Sequence, residues 1–340
     1  MRIEVHIDAR AEVHANVPID ACVEVRLEAQ IEVRIAFDNS FRRQHVNSNP
    51  WRFSEELGGI TVSGLRRNVD SVSGGGERPL IIAIHGGTYS SAYFDVEGYS
   101  LIERAAALGL PIIALDRPGY GDTTPLPPAE ATIAKNAERL DSVIGDIWSR
   151  YGRGRSGVFL IGHSIGGAIT VSIAARRPSW NLLGIAVSGV GMVTPPESLD
   201  HWSSLPDIPM IDLPSEVKDT VMFGPEWTFS SEMPARSHSA DAPVPRAELI
   251  DIVTTWHSSV KGLASQVQVP VHYRQGEFDR LWITDAQQVH DFGAAFTASP
   301  LVDARLCKSA GHCIDFHRLS LAFQLEQLAF AAQSTVLEPQ

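Results

Sequence analysis

The first 36 residues alternate between apolar and polar positions. Apolar side chains recur at every second residue: Ile3, Val5 and Ile7, and later Ile31, Val33 and Ile35. A period of two is typical of strands that bury one face. We therefore expect residues 1–45 to form a β-rich N-terminal extension. Either this extension serves as an interface or a lid, or it is an accessory or poorly ordered segment.

From about Trp51 the pattern changes to continuous apolar runs separated by segments with helical spacing. The runs include LIIAIHGG, LPIIALD, GVFLIG, LLGIAVSGV and VPVHYR. Apolar runs that end in glycine are typical of strands buried on both faces of a parallel sheet. YSLIERAAALG and AEATIAKNAERLDSVIGDIWSRYG have helical spacing. Strands that alternate with helices predict an α/β fold with a doubly wound, mostly parallel sheet.

This alternation stops between residues 191 and 263. Prolines cluster there and are interleaved with Trp, Met and Phe. An irregular insertion of this length within a compact domain is more often functional than structureless. We therefore predict a core of residues 46–190 and 264–340 that carries a cap at residues 191–263.

Composition and charge restrict the classes of partner. The chain has 340 residues and a formal net charge of −12, which argues against nucleic acid because phosphate binding needs a basic patch. No apolar run approaches the roughly 18–20 residues of a membrane span. The N-terminal stretch is charged throughout and has no uninterrupted apolar segment, so we expect no signal peptide. Cys22, Cys307 and Cys313 are too few and too irregularly placed for a disulfide framework or a zinc site. We expect a cytoplasmic protein with no cofactor.

One short stretch carries a candidate nucleophile. FLIGHSIGGAIT places Ser164 between an apolar strand and an apolar helix, with Gly162 and Gly166 on either side. This is the pattern of a nucleophile elbow, a sharp turn that projects the serine hydroxyl above the sheet. Small residues are expected at both glycines because the strand and the helix approach closely. An idle serine in an ordinary turn is the alternative interpretation.

A nucleophilic serine needs a base, and the base needs an acid that orients it. In GEFDRLW, Asp279 follows a buried strand, at the sheet edge where open α/β folds form their sites. In SAGHCIDFH, His312 lies in a glycine-flanked loop after the next strand. Asp285 and Asp315 are rival acids, but both fall outside the strand-end position.

From about residue 51 to 332 the chain resembles an α/β-hydrolase. The resemblance rests on HGG, DRPGYGDT, GHSIGG, the cap, GEFD and GH, in this order. It implies that Ser164 is the nucleophile, His312 the base and Asp279 the acid, an order typical of this fold. It also implies an oxyanion hole formed by the backbone N–H groups of Gly87 and Ile165. A serine at the elbow, rather than an aspartate, speaks against the epoxide hydrolase and haloalkane dehalogenase branches.

The resemblance implies a serine hydrolase that cleaves an ester, lactone or thioester bond of a small-molecule substrate with an acyl group. Two alternatives stay open. In the first, the same residues catalyse acyl transfer, C–C bond hydrolysis or a lyase reaction. In the second, the protein has the same fold but binds a ligand without catalysis. Candidate pocket residues are His163, Tyr89, Trp202 and Trp227. The substrate itself is not determined by the fold.

Other polar residues within these motifs are expected to be structural. His85 is expected to support the oxyanion loop, and Asp116 to stabilise its own loop. Cys313 is expected to be a small packing residue, and His317 lies too deep at the start of the last helix to be the preferred base. Trp202, Trp227 and Trp256 either line an acyl pocket or pack the cap on itself.

Overall fold

A computed structural model describes four parts of the chain: residues 2–6, 32–36, 51–70 and 78–336. The chain divides into two compact units, residues 1–50 and residues 51–340. In the first unit, β1 (Arg2–His6) pairs antiparallel with β2 (Glu32–Ala36). The β-rich character predicted for the N-terminal segment is therefore present in these two strands. The remaining alternating positions of that segment lie outside the described residues.

The second unit contains ten strands within residues 51–70 and 78–336. In chain order they are β3 (Arg52–Leu57), β4 (Ile60–Arg67), β5 (Leu80–Ile84), β6 (Ile112–Leu115), β7 (Val158–His163), β8 (Leu182–Ser188), β9 (Met210–Ile211), β10 (Val244–Pro245), β11 (Val271–Gly276) and β12 (Val302–Cys307). Eight of them form one sheet in the order β12-β11-β8-β7-β5-β6-β4-β3, and β9 pairs with β10. From β12 to β6 all neighbours run parallel, whereas β3 and β4 are antiparallel. The mostly parallel sheet predicted from the sequence is confirmed.

Ten α-helices connect these strands within the same described residues. They are α1 (Leu101–Ala107), α2 (Ile133–Tyr151), α3 (Ile165–Ala175), α4 (Ser198–Ser203), α5 (Ser215–Met222), α6 (Met233–Ser237), α7 (Arg246–Val253), α8 (Thr255–Ala264), α9 (Ala286–Ala294) and α10 (Ser320–Gln333). Between β8 and β11 the strand–helix alternation gives way to α4–α8 and the β9–β10 pair. Among the residues that the structure describes, no helix has both the length and the apolar character to cross a membrane.

Helices cover both faces of the sheet. Ile82 and Ile84 of β5 belong to the same apolar cluster as Leu140 of α2. Ile81 and Ala83, which alternate with them, belong to a second cluster that includes residues of α1 and α10. Successive side chains of a strand point to opposite faces, so a doubly wound sheet needs an apolar residue at every position. This is why these strands read as continuous apolar runs.

Candidate active site

Ser164 occupies a strained turn between β7 and α3. Its φ is 55° and its ψ is −125°, a conformation that costs a non-glycine residue of order 1–3 kcal/mol. A Cβ atom at Gly162 would lie 2.3 Å from Thr170 Oγ1, and one at Gly166 would lie 2.2 Å from Ile84 O. The close approach of strand and helix inferred from the sequence is therefore present, and it requires glycine on both sides of the serine.

A chain of hydrogen bonds joins the three residues that the sequence proposes for catalysis. His312 Nε2 lies 2.9 Å from Ser164 Oγ, and His312 Nδ1 lies 2.7 Å from Asp279 Oδ2. Asp279 also accepts hydrogen bonds from Gln275 Nε2 (2.6 Å) and from the N–H of Leu281 (2.8 Å). Because a carboxylate only accepts, Nδ1 of His312 must carry the proton. The lone pair of Nε2 therefore faces the serine hydroxyl, as general-base catalysis requires.

The rival acids are engaged elsewhere. Asp315 is buried and accepts hydrogen bonds from Tyr93 Oη (2.9 Å) and Gln324 Nε2 (2.6 Å). Burial raises the pKa of this carboxyl group. Asp285 caps the N-terminus of α9 by accepting a backbone N–H of its first turn. The carboxylate that lies within hydrogen-bond distance of His312 is that of Asp279.

His317 stabilises the loop that carries His312. Its Nε2 accepts from the N–H groups of Gly224 (3.1 Å) and Gly311 (2.9 Å), and its Nδ1 donates to Cys313 O (2.8 Å). Burial lowers the pKa of His317 to about 4, so the ring is neutral, as these bonds require. The Cys313 thiol is fully buried, and this burial raises its pKa. Cys313 has the packed surroundings expected from the sequence, whereas His317 lies three residues before α10 rather than at its start.

Asp116 and His85 stabilise the loops around the nucleophile. Asp116 Oδ1 accepts from the N–H of Ser91 (2.8 Å). His85 is fully buried, with Nδ1 lying 2.8 Å from Gly86 O and Nε2 accepting from the N–H of Arg117 (3.2 Å). Neither side chain is among those that line the cleft at Ser164. These surroundings are the structural ones expected for both residues.

Gly87 and Ile165 are among the residues that line the cleft at Ser164. Within the described residues, neither N–H group has a hydrogen-bond acceptor. Ile165 is the first residue of α3, where no intrahelical acceptor exists. Unpaired donors beside a nucleophile are suited to an oxygen that gains negative charge. The arrangement can therefore hold the oxyanion of a tetrahedral intermediate.

A cleft opens at Ser164, and the space within it and at its open mouth is about 560 Å³. Its wall consists of Gly87, Thr88, Ser164, Ile165, Thr194, Trp202, Leu213, Val221, Met222, Leu249, Ile252, Val253, Leu281 and Trp282. Most of these side chains are apolar, and no charged side chain is among these described wall residues. Such a wall favours an uncharged, apolar group close to the nucleophile.

Of the candidate pocket side chains, Trp202 lies on this wall, and His163, Tyr89 and Trp227 are not among its described residues. The ring of His163 is buried and stacks on Tyr93 at 4.7 Å between centroids. Burial lowers the pKa of His163 well below its usual value. The ring of Tyr89 is also buried, 5.2 Å from that of Tyr93. Trp227 is 60% exposed and packs edge-on against Phe278.

The sequence analysis missed several residues of the wall. Trp282 lies on the cleft, and its Nε1 donates to Gly189 O (3.0 Å). Its position directly after the GEFD motif was the available signal. Trp256, left open from the sequence, is buried and donates through Nε1 to Gly191 O (2.7 Å), away from the cleft wall. Leu249, Ile252 and Val253 reach the wall from α7, and no motif marks them.

Comparisons with known proteins agree with this architecture. The profile described as "Alpha/beta hydrolase family" matches residues 81–321. An esterase from Thermogutta terrifontis superimposes with a TM-score of 0.58 at 16% identity, over 83% of this chain and 99% of that chain. An epoxide hydrolase from Vigna radiata superimposes with a TM-score of 0.59 at 16% identity, over 83% of this chain and 97% of that chain. At such identities the likeness concerns the fold alone.

A curated relative is similar over a shorter segment. Protein phosphatase methylesterase 1 from Pongo abelii is 31% identical over 130 residues, which are 38% of this chain and 32% of that protein. The match therefore spans about a third of the length of this relative. The similarity supports the shared fold and leaves the substrate of this chain open.

Proposed function

This chain belongs to the alpha/beta hydrolase family, and from this premise we propose that it is a serine hydrolase that cleaves a carboxylic ester, lactone or thioester. The observation that carries the proposal is the chain of hydrogen bonds from Ser164 Oγ through His312 to Asp279, with distances of 2.9 and 2.7 Å. A serine that meets the free lone pair of a buried, oriented imidazole is poised for nucleophilic attack.

The first half of the proposed reaction forms an acyl-enzyme. His312 Nε2 removes the proton from Ser164 Oγ as this oxygen attacks the carbonyl carbon. The resulting imidazolium is stabilised by the Asp279 carboxylate, which also keeps the ring in the required tautomer. The carbonyl oxygen becomes an oxyanion that accepts hydrogen bonds from the N–H groups of Gly87 and Ile165. His312 then donates its proton to the leaving alcohol or thiol.

The second half returns the free enzyme. Water takes the place of the leaving group and loses a proton to His312 Nε2 as it attacks the acyl carbon. A second tetrahedral intermediate forms at the same two N–H groups. As it collapses, the bond to Ser164 Oγ breaks, His312 returns the proton to Oγ, and the carboxylic acid is released. If an alcohol enters in place of water, the same steps transfer the acyl group. The chemistry of the acceptor therefore separates hydrolysis from acyl transfer.

We further propose that residues 191–263 form a cap that selects the substrate. This segment contributes most of the apolar wall, including Trp202, Met222 and Leu249. An uncharged acyl group of apolar character fits such a wall, because a charged group would lose its hydration there without gaining a partner. The name of the curated relative, a methylesterase, supports an ester-type bond.

The test compares Ser164→Ala with Ser172→Ala. Ser172 is buried in α3, the helix that follows Ser164. Its hydroxyl donates to Ala168 O at 2.9 Å, and it does not lie on the cleft wall. Activity is measured on p-nitrophenyl esters of increasing acyl length, on lactones and on acyl thioesters, with labelling by a fluorophosphonate. Ser164→Ala should lower kcat by roughly 10³–10⁶-fold and abolish labelling, whereas Ser172→Ala should keep both.

A Ser164→Ala variant that retains a tenth of the wild-type rate would refute the assignment of the nucleophile. A wild-type protein that neither labels nor turns over any of these substrates would refute a serine hydrolase. Product analysis with an added alcohol identifies an acyl transferase, because ester products then appear beside or in place of the acid.

A further inference from the structure

Arg117 is a fully buried arginine that contacts the loop at the nucleophile. It lies two residues after β6, and its guanidinium donates to two consecutive backbone carbonyls of that loop. Nε lies 2.9 Å from His85 O, and Nη2 lies 3.0 Å from Gly86 O. Nη1 lies 2.8 Å from Glu248 Oε1. The planar fork of one guanidinium thereby joins the loop to an acidic residue of α7.

The carbonyl of Gly86 and the N–H of Gly87 belong to the same peptide unit. This unit is planar, and in the trans form its C=O and N–H point in opposite directions. A donor that holds Gly86 O on one side therefore fixes the direction of the Gly87 N–H on the other. Gly87 lines the cleft beside Ser164, and among the described residues its N–H has no acceptor.

His85 supplies a second donor to the same carbonyl. Burial, and next the charge of Arg117, lowers the pKa of His85 well below its usual value, so the ring is neutral. Its Nε2 accepts from the N–H of Arg117, so Nδ1 must carry the proton that reaches Gly86 O at 2.8 Å. Two donors on one carbonyl polarise the amide, and such polarisation strengthens the hydrogen bond given by its N–H.

Glu248 fixes the guanidinium in turn. Its carboxylate accepts from Arg117 Nη1, from Tyr120 Oη (3.1 Å) and from Asn136 Nδ2 (3.2 Å), and all of these groups are buried. A buried ion pair contributes little net stability compared with apolar side chains of the same volume. The role of the pair is therefore better explained by geometry, because Arg117 holds two carbonyls of the loop while Glu248 holds Arg117.

We propose that Arg117 is a positioning residue for the oxyanion hole: by holding the carbonyl of Gly86, it aims the N–H of Gly87 at the oxyanion. The inference rests on the proposed function of Ser164. An amide aimed at the oxyanion acts mainly in the transition state, because only there does the carbonyl oxygen carry the charge. Loss of the guanidinium should therefore lower kcat and leave KM almost unchanged.

The test compares Arg117→Lys with Arg274→Lys. Arg274 is a matched control because it is also buried, donates to the carbonyls of Tyr273 and Asp303, pairs with carboxylates and lies away from the cleft wall. A lysine keeps the charge, but its single ammonium group does not reproduce the bidentate contact. Arg117→Lys should lower kcat by about 10–100-fold, less than the roughly 100–1000-fold of a deleted donor. Arg274→Lys should change kcat by less than about threefold.

An inhibitor provides an independent measurement. A trifluoromethyl ketone forms a tetrahedral adduct with an oxyanion on Ser164, whereas the product carboxylic acid binds without one. Arg117→Lys should lower the affinity for the ketone by the same factor by which it lowers kcat/KM. It should leave the affinity for the acid unchanged. If Arg117→Lys does not fold, the double variant Arg117→Met with Glu248→Met removes both charges of the pair. The same kinetic change is expected there.

A folded Arg117 variant with the kcat of Arg274→Lys, or one that changes KM alone, would overturn the positioning role. Failure of the proposed function is distinguishable from this outcome, because the wild-type protein itself would then show neither turnover nor fluorophosphonate labelling.

Discussion

Replacing Ser164 by glycine should give a more stable protein than replacing it by alanine. Both variants lack the hydroxyl and its hydrogen bond to His312, so that loss cancels in the comparison. What differs is the backbone, which at φ 55° and ψ −125° is strained for alanine and unstrained for glycine.

The expected size follows from two opposing contributions. Relief of the strained conformation contributes about 1–3 kcal/mol to the free energy of unfolding. The greater freedom of glycine in the unfolded chain removes about 0.5–1 kcal/mol of this gain. Ser164→Gly should therefore exceed Ser164→Ala by about 1 kcal/mol, which corresponds to a Tm about 2 °C higher in a protein of this size.

The assay is urea unfolding followed by circular dichroism, together with thermal unfolding, on both variants at the same pH. The matched control is Ser172, which lies within the regular part of α3. There glycine should be less stable than alanine by about 1 kcal/mol, because glycine has the lower helix propensity. If Ser164→Gly is less stable than Ser164→Ala, as expected for the pair at Ser172, the backbone at the nucleophile is not strained. That result would refute the argument that the turn holds Ser164 in a strained conformation.

Three further predictions concern the acid, the cleft and the pH dependence of stability. Asp279→Asn should lower kcat by up to about 10⁴-fold because the imidazole adopts the wrong tautomer; Asp315→Asn should cost less in kcat, and the reverse order measured with a p-nitrophenyl ester would overturn the assignment. Trp202→Ala should change the preference among acyl chain lengths by about 1–3 kcal/mol, because Trp202 lies on the cleft wall. Trp227 is exposed, so Trp227→Ala should leave this preference unchanged. Equal chain-length profiles in both variants would exclude Trp202 from the acyl site. Burial lowers the pKa of His272 to about 3. Between pH 6.5 and 3 the unfolded chain therefore binds more protons than the folded protein, and the free energy of unfolding falls as the pH decreases through this range. His272→Leu removes this pH dependence, so its free energy of unfolding in urea, relative to the wild type, should be about 2 kcal/mol more favourable at pH 5 than at pH 7.5. A difference that does not grow towards pH 5 would contradict the buried, neutral ring.

Local patterns predicted the elements and the order of the catalytic candidates. A strand buried on both faces needs an apolar residue at every position, so β5 and β7 were visible as continuous runs. The turn at Ser164 was visible because glycine is required wherever backbones approach within contact distance, as at Gly162 and Gly166. These requirements act over a few residues, and the sequence records them directly.

The walls of the cleft were decided by the tertiary structure. Trp202 and Trp227 have similar surroundings in sequence, yet one lies on the cleft and the other is exposed to solvent. The pairing of Arg117 with Glu248 joins residues 131 positions apart, and neither stands in a motif that predicts the other. Burial and partner choice depend on how distant segments pack, because the same side chain is stable on a wall, in the core or in water according to its neighbours.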